Sequence, residues 1–138
     1  MAGILITNYD KGKIFIWDNR FSQGVYTNSS GSPVTLAKGR LMGRITTGQK
    51  MLPLVSTATD GSQQPVGVLA EEYVVAAGAT INVTYCDSGD VVEGRIILGG
   101  SDTLATVITN DVSIRDAIAR NTHIKLVAVT DTSGYDNQ

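Results

Sequence analysis

The segment from Val34 to Arg95 constrains the fold most, because it is a series of short apolar runs separated by turns rich in glycine and aspartate. Alternation is strict over Thr80–Tyr85, where Ile81, Val83 and Tyr85 share one face of a half-buried strand. The other predicted strands of this segment are Val34–Leu36, Leu41–Thr46, Leu52–Val55, Val66–Ala70 and Val91–Leu98. The segment predicts a mainly β protein, folded as a compact β-sandwich or barrel-like domain.

Residues 1–33 carry strand signals of their own, followed by a polar loop. The apolar runs are Ile4–Thr7, Lys13–Trp17 and Phe21–Tyr26, with turns predicted at Asn8–Gly12 and Asp18–Arg20. The loop Thr27–Pro33 is rich in serine and ends in proline, which is typical of a boundary. We therefore predict an N-terminal arm or strand segment over residues 1–33 and a β-domain over residues 34–138.

One short helix is predicted near the C-terminus, over Ser113–Asn121. Ser113 followed by Asp116 fits a capping box, and Ile114, Ala117 and Ile118 form an apolar stripe. A helix of this length is unstable alone and must dock on the sheet. Ile124–Thr130 is predicted to be the last strand.

Composition argues against several classes of function. The 138 residues carry a net charge of −2 without a basic run, so the clustered cations that bind a nucleic-acid backbone are missing. No run of about 18 apolar residues occurs, which argues against a membrane span. Only 17% of the residues are charged, and such a surface fits a protein that packs against others as well as it fits an ordinary β-domain rich in threonine. Cys86 is the single cysteine, so no intrachain disulfide can form, and synthesis in a reducing cytoplasm is expected.

No group of residues predicts catalysis, a metal site or a cofactor. His123 is the only histidine, and nothing in the sequence around it or around Cys86 indicates that the two act as a pair. Glu71 and Glu72 point to opposite faces if they lie in a strand. Asp87–Asp90 is rich in oxygen ligands, but it is too short for an EF-hand loop and predicts a hairpin turn. We therefore expect neither enzymatic activity nor a cofactor.

The order of several motifs resembles the head decoration, or cement, proteins of lambda-like tailed phages. Asp60-Gly61 is followed at short range by Pro65-Val66-Gly67-Val68-Leu69-Ala70 and then by Thr80-Ile81-Asn82-Val83-Thr84-Tyr85. The stretch from Ser113 through Ile124-Lys125-Leu126 is similar to the late helix and closing strand of that family. The resemblance covers roughly residues 34–130.

The resemblance implies a structural role in the virion. Proteins of this family form β-rich trimers that sit at local three-fold positions on the outside of an expanded capsid. They hold neighbouring subunits of the major capsid protein together against the internal pressure of DNA. The implied partners are the major capsid protein and two further copies of the chain, and the implied location is the outer capsid surface after synthesis in the host cytoplasm.

Two sets of residues are candidates for these contacts. Ile4, Leu5, Ile6 and Thr7 form an apolar strand that could add to the edge of a capsid sheet, or that could pair within its own domain. Ile14, Phe15, Ile16 and Trp17 are apolar on both alternating faces, which suggests a surface for self-association. The loop Ser56–Pro65 is the next candidate for capsid attachment.

Two other classes of function stay open at this point. A carbohydrate- or host-surface-binding β-module would use the aromatic residues of the N-terminal segment and loops such as Thr27–Pro33. An enzyme would require a pocket around His123 with organised acidic partners.

Overall fold

The computed structural model describes residues 14–128, which form eight strands, one turn of 3-10 helix and one α-helix. The strands are β1 (Phe15–Thr27), β2 (Val34–Leu36), β3 (Leu41–Arg44), β4 (Met51–Pro53), β5 (Pro65–Leu69), β6 (Tyr73–Val75), β7 (Thr80–Val92) and β8 (His123–Val127). The 3-10 turn is Glu93–Arg95 and the helix α1 is Ile114–Asn121. The prediction of a mainly β fold with one short helix near the C-terminus is confirmed.

Strand β7 organises the larger sheet. The sheet has the order β1-β7-β5-β3-β4 with antiparallel neighbours, and β8 pairs with β7 in parallel. One side of β7 carries β1 along almost its whole length, whereas the other side pairs first with β5 and then with β8. Strands β2 and β6 form a separate antiparallel pair.

Alternating side chains along the sheet build two apolar layers, one on each face. Leu41, Val68 and Cys86 belong to the layer that packs against α1. Their neighbours in sequence, among them Met42 and Leu69, belong to the layer that packs against β2 and β6. Both layers are almost fully buried. Successive side chains of a strand point to opposite faces, and in this sheet both faces are covered.

The helix begins and docks as its sequence predicts. The backbone N–H of Asp116 donates to Ser113 Oγ over 3.2 Å, which caps the first turn. Ile114, Ala117 and Ile118 are buried against the sheet. At the other end, Thr122 Oγ1 donates to the carbonyl of Ile118 over 2.7 Å. The cap, the apolar stripe and the helix are all confirmed.

The larger sheet curls until its two end strands approach each other. Gly24 of β1 lies so close to β4 that a Cβ atom there would be 2.5 Å from Met51 Cγ. Strand β4 lies at the end of the strand order and contains Pro53, a residue that cannot donate to a ladder and is typical of an edge strand. The curl gives the sheet the barrel-like character that the sequence predicts.

Three local predictions were wrong. Asp18–Arg20 is not a turn, because β1 continues through it as a bulge that keeps the strand paired to β7. Asp87–Asp90 is not a hairpin turn but lies within β7, where pairing on both sides outweighs the turn composition. Val91–Leu98 is not one strand, since β7 ends at Val92 and the 3-10 turn follows.

The division of the chain at residue 33 stays a prediction. Within the described residues, β1 pairs with β7 from Phe15 opposite Val91 to Thr27 opposite Thr80. Ile4–Thr7 and the turn Asn8–Gly12 lie outside the described residues, as does the chain after residue 128.

The predicted core residues Val68, Leu69 and Val83 are buried, and Ile81 is half-buried beside them. Val83→Ala is expected to lower the free energy of unfolding by about 1–3 kcal/mol, through lost burial and the cavity left behind. Val74→Ala is the matched control, because Val74 lies on β6 with 71% of its surface exposed. Urea unfolding measures both, and equal effects of the two substitutions would contradict the assignment of the inner face of β7.

Candidate interaction surface

Among the described residues, the most exposed aromatic side chains lie on β1, at the end of the sheet. Trp17 is 71% exposed and Phe21 is 49% exposed. The ring of Phe21 meets the ring of Phe15 edge-on, with 5.5 Å between the ring centroids, a favourable geometry for an aromatic pair. Aromatic residues are enriched in protein interfaces relative to the rest of the surface.

The four residues predicted for self-association occupy different environments. Ile14 is buried in the layer beneath α1, and Phe15 and Ile16 are half-buried. Trp17 is therefore the widely exposed member of the set, and Phe21, which is not a member of it, is in ring contact with Phe15. Self-association through this surface stays a prediction. The candidate capsid-binding residues Ile4, Leu5, Ile6 and Thr7 lie outside the described residues.

A bulge in β1 places Trp17 at the surface, and two residues hold this bulge. The Asn19 side-chain amide donates to the carbonyl of Asp90 over 3.0 Å and to the carbonyl of Ser88 over 3.3 Å. Gly89 lies between these two carbonyls with φ +95°, and a Cβ atom there would be 2.5 Å from the Asp18 carbonyl oxygen. The exposed position of Trp17 thus depends on a partner strand some 70 residues away in sequence.

The loop Ser56–Pro65 is held firmly against β3. Asp60 Oδ1 accepts from the backbone N–H of Ser62 over 3.0 Å and from its hydroxyl over 2.6 Å, and these bonds lower the pKa of the Asp60 carboxyl. Gly61 has φ +107° and lies against the Arg44 carbonyl. Ser56 and Ser62 are buried. This loop presents a fixed surface.

A polar network joins the same loop to α1. Arg120 donates to both carboxylate oxygens of Asp111, over 2.7 and 2.8 Å. Gln64 donates to Asp111 over 2.6 Å and accepts from Arg120 and Asn121. The hydrogen bonds from Arg120 and Gln64 hold the pKa of the Asp111 carboxyl far below its usual range. The network orients the loop, and its polar groups serve as hydrogen-bond partners for one another.

Cys86 and His123 do not form a nucleophile and its base. Cys86 is fully buried, and its thiol donates to the Ser88 carbonyl over 3.0 Å. Burial raises the pKa of this thiol, which is the wrong direction for a nucleophile at neutral pH. His123 is exposed on β8, beside a shallow groove between that strand and α1.

The carboxylates are dispersed over the described part of the chain. Glu71 and Glu72 are exposed next to β6, and Asp87 accepts a hydrogen bond from the Ser22 hydroxyl over 2.8 Å. No group of three or more histidine, cysteine, aspartate or glutamate side chains within residues 14–128 is placed to hold a metal ion. In the same range, no helix has both the length and the apolar character needed to cross a membrane.

Comparison with known proteins gives one family. A family model described as bacteriophage lambda head decoration protein D matches residues 10–121, from just ahead of β1 to the last residue of α1. A comparison with curated proteins gave no match. The family match spans most of both apolar layers, the whole of β1 and the Ser56–Pro65 loop.

Proposed function

The chain belongs to the bacteriophage lambda head decoration protein family, and from this membership we propose that it binds the outside of an expanded phage capsid as a trimer. There it stabilises the shell against the internal pressure of DNA. The family is one of structural capsid proteins, which gives the chain its class of function and its place in the virion. The observation that carries the proposal is the family match over residues 10–121.

The surface of the described residues supports an assembly role. Trp17 and Phe21 expose large apolar areas on an end strand, and contact with another subunit would remove these areas from water. Contact between copies through this surface would form the trimer. A trimer attaches through three equivalent contacts, so detachment is slow even when each contact is modest.

Ile4–Thr7 is the segment assigned to bind the major capsid protein. An extended apolar segment can add to an exposed sheet edge, where main-chain hydrogen bonds supply affinity and alternate side chains fill pockets. The fixed loop Ser56–Pro65 is the second candidate for a capsid contact.

Co-sedimentation with expanded capsids that lack a decoration protein tests the proposal. The full chain is expected to pellet with the capsids, and imaging should find it at local three-fold positions. The double substitution Ile4→Asp and Ile6→Asp is expected to weaken binding at least about tenfold, because charge must be desolvated at the contact. The matched control, Asn8→Asp with Tyr9→Asp, adds the same charge in the predicted turn and should bind normally.

Three outcomes would contradict the proposal in different ways. A protein that stays monomeric in light scattering across micromolar concentrations would count against the trimer. Unchanged binding of the Ile4 and Ile6 double variant would move the capsid contact to the main domain. Binding to glycans without any affinity for capsids would favour a carbohydrate- or host-surface-binding module, in which the exposed Trp17 would stack on a sugar.

A further inference from the structure

Arg40 is a half-buried arginine whose guanidinium has no hydrogen-bond or ion-pair partner among the described residues. All six arginines of the chain lie within residues 14–128, and the other five are exposed. Two of those five, Arg115 and Arg120, pair with carboxylates. Within the same range, Arg40 Nε is the one buried side-chain nitrogen or oxygen without a partner. A buried donor in this state lowers stability and calls for an explanation.

The backbone around Arg40 fixes the place of its side chain. The Arg40 carbonyl accepts from the N–H of Leu69 over 2.9 Å, and the residue forms a parallel bridge with Ile97. A Cβ atom at Gly99 would be 2.8 Å from Arg40 Nη2, so the guanidinium lies directly against the main chain of Gly99. The charge is thus held at one position rather than carried on a free side chain.

The Nη1 and Nη2 atoms form the accessible end of the guanidinium. They have no described partner, and among the nitrogens of Arg40 only Nε is both buried and unpartnered, so the other two reach solvent. Two such nitrogens donate side by side at the spacing of the two oxygens of a carboxylate. The net charge of −2 without a basic run argues against the phosphates of a nucleic acid as the source of the anion. The site therefore fits a protein carboxylate that approaches end-on.

The site lies close to Ile14, the first described residue. A Cβ atom at Gly39, the residue before Arg40, would be 3.0 Å from Ile14 Cδ1. Thr7, the end of the proposed capsid-binding segment, precedes Ile14 by seven residues, which span at most about 25 Å. A capsid subunit that binds this segment is therefore within reach of Arg40.

We propose that Arg40 binds a carboxylate of the major capsid protein, with Nη1 and Nη2 donating to its two oxygens. Lys38, exposed two residues earlier, adds positive charge that attracts the same group. The choice of partner rests on the proposed function and adds to it a contact within the described residues. The carboxylate site itself does not depend on that function.

Formate, a small carboxylate, tests the site in the full chain without a capsid. Replacement of sodium chloride by sodium formate at equal ionic strength should raise the Tm of the parent by about 2 °C more than that of Arg40→Gln. Arg44→Gln is the matched control, because Arg44 is an exposed arginine at the end of β3, and this variant should respond to formate as the parent does.

Co-sedimentation with expanded capsids that lack a decoration protein tests the partner. Arg40→Gln should weaken capsid binding at least about tenfold, whereas Arg44→Gln should stay within about twofold of the parent. Arg40→Lys should recover only part of the loss, because an ammonium cannot donate to both oxygens as a planar fork does. Light scattering should give the same mass for Arg40→Gln as for the parent.

Each alternative outcome overturns a stated part of the inference. An equal response of the parent and Arg40→Gln to formate means that Arg40 does not bind carboxylates. A lower mass of Arg40→Gln in light scattering means that a second copy supplies the carboxylate. A normal formate response with unchanged capsid binding of Arg40→Gln means that the capsid is not the partner. If the parent chain itself does not bind capsids, the proposed function fails, and the formate measurement still decides whether the site exists.

Discussion

Gly89→Ala is expected to lower the free energy of unfolding by about 3 kcal/mol or more, the combined cost of a left-handed backbone and of overpacking. Gly89 has φ +95°. A Cβ atom added at Gly89 would lie 2.6 Å from the carbonyl oxygen of Trp17 and 2.5 Å from that of Asp18. Both obstacles are backbone atoms, so no side chain can rotate away. The bulge of β1 would have to shift, and the bonds from Asn19 to the Ser88 and Asp90 carbonyls would be strained.

Substitutions at two other glycines separate the cost of the left-handed backbone from the cost of overpacking. Gly48 has φ +85° with nothing near its missing Cβ, so Gly48→Ala should cost only about 1–2 kcal/mol for the backbone. Gly31 has no positive φ, and no atom lies within 4 Å of the position that a Cβ would take there. The free energy of unfolding of Gly31→Ala should therefore lie within about 0.5 kcal/mol of the parent value. Denaturant unfolding of the three variants gives the comparison. If Gly89→Ala costs no more than Gly48→Ala, the close approach of β1 and β7 is not tight.

Asn28→Asp is expected to destabilise the protein by about 3–5 kcal/mol at neutral pH, as an uncompensated buried charge does. Asn28 is 1% exposed. Its amide nitrogen donates to the carbonyls of Ser32, Val75 and Ala76 over 2.8, 3.0 and 3.2 Å. Its oxygen accepts from the N–H and the hydroxyl of Ser30. A carboxylate of the same shape would place a negative oxygen against three carbonyl oxygens.

The pH dependence identifies the cause. The three carbonyls raise the pKa of the introduced carboxyl in the folded state above its unfolded value. The penalty is therefore present above the folded pKa and fades as pH falls toward the unfolded value near 3.9. Asn28→Ala, which loses the bonds without adding a charge, should cost about 2–3 kcal/mol without this dependence. Unfolding curves of both variants between pH 7 and about 4 provide the measurement. Parallel behaviour of the two variants would show that charge is not the cause.

The sequence predicts those elements whose signals are local. The alternation of Ile81, Val83 and Tyr85 identifies one face of β7, and Ser113 with the stripe after it identifies α1. In each case the information lies within a few residues, because a strand period or a helix cap is itself a local property.

The failures fall where partners distant in sequence determine the conformation. Asp18–Arg20 has the composition of a turn, yet the Asn19 side chain bonds to Ser88 and Asp90 and keeps β1 in the sheet. Asn28 belongs to a segment with the composition of an ordinary polar loop, but it is buried and its side-chain amide donates to the carbonyls of Val75 and Ala76. For the candidate surface, the aromatic residues of β1 could be selected from the sequence, but their degrees of exposure, 71% for Trp17 and 49% for Phe21, could not, because exposure depends on the packing of distant elements.

The long β1–β7 ladder also determines how the domain carries mechanical load. Its hydrogen bonds lie across the strand axis, and its paired positions extend from Phe15 opposite Val91 to Thr27 opposite Thr80. When the chain is pulled at a point ahead of Ile14 and at the turn before Thr80, the force acts along the two strands in shear. All the hydrogen bonds of the ladder then bear the load together. Tension that leaves beyond Val92 would instead peel the rungs apart one by one. The same ladder therefore resists unfolding under force more strongly in the first pulling direction than in the second.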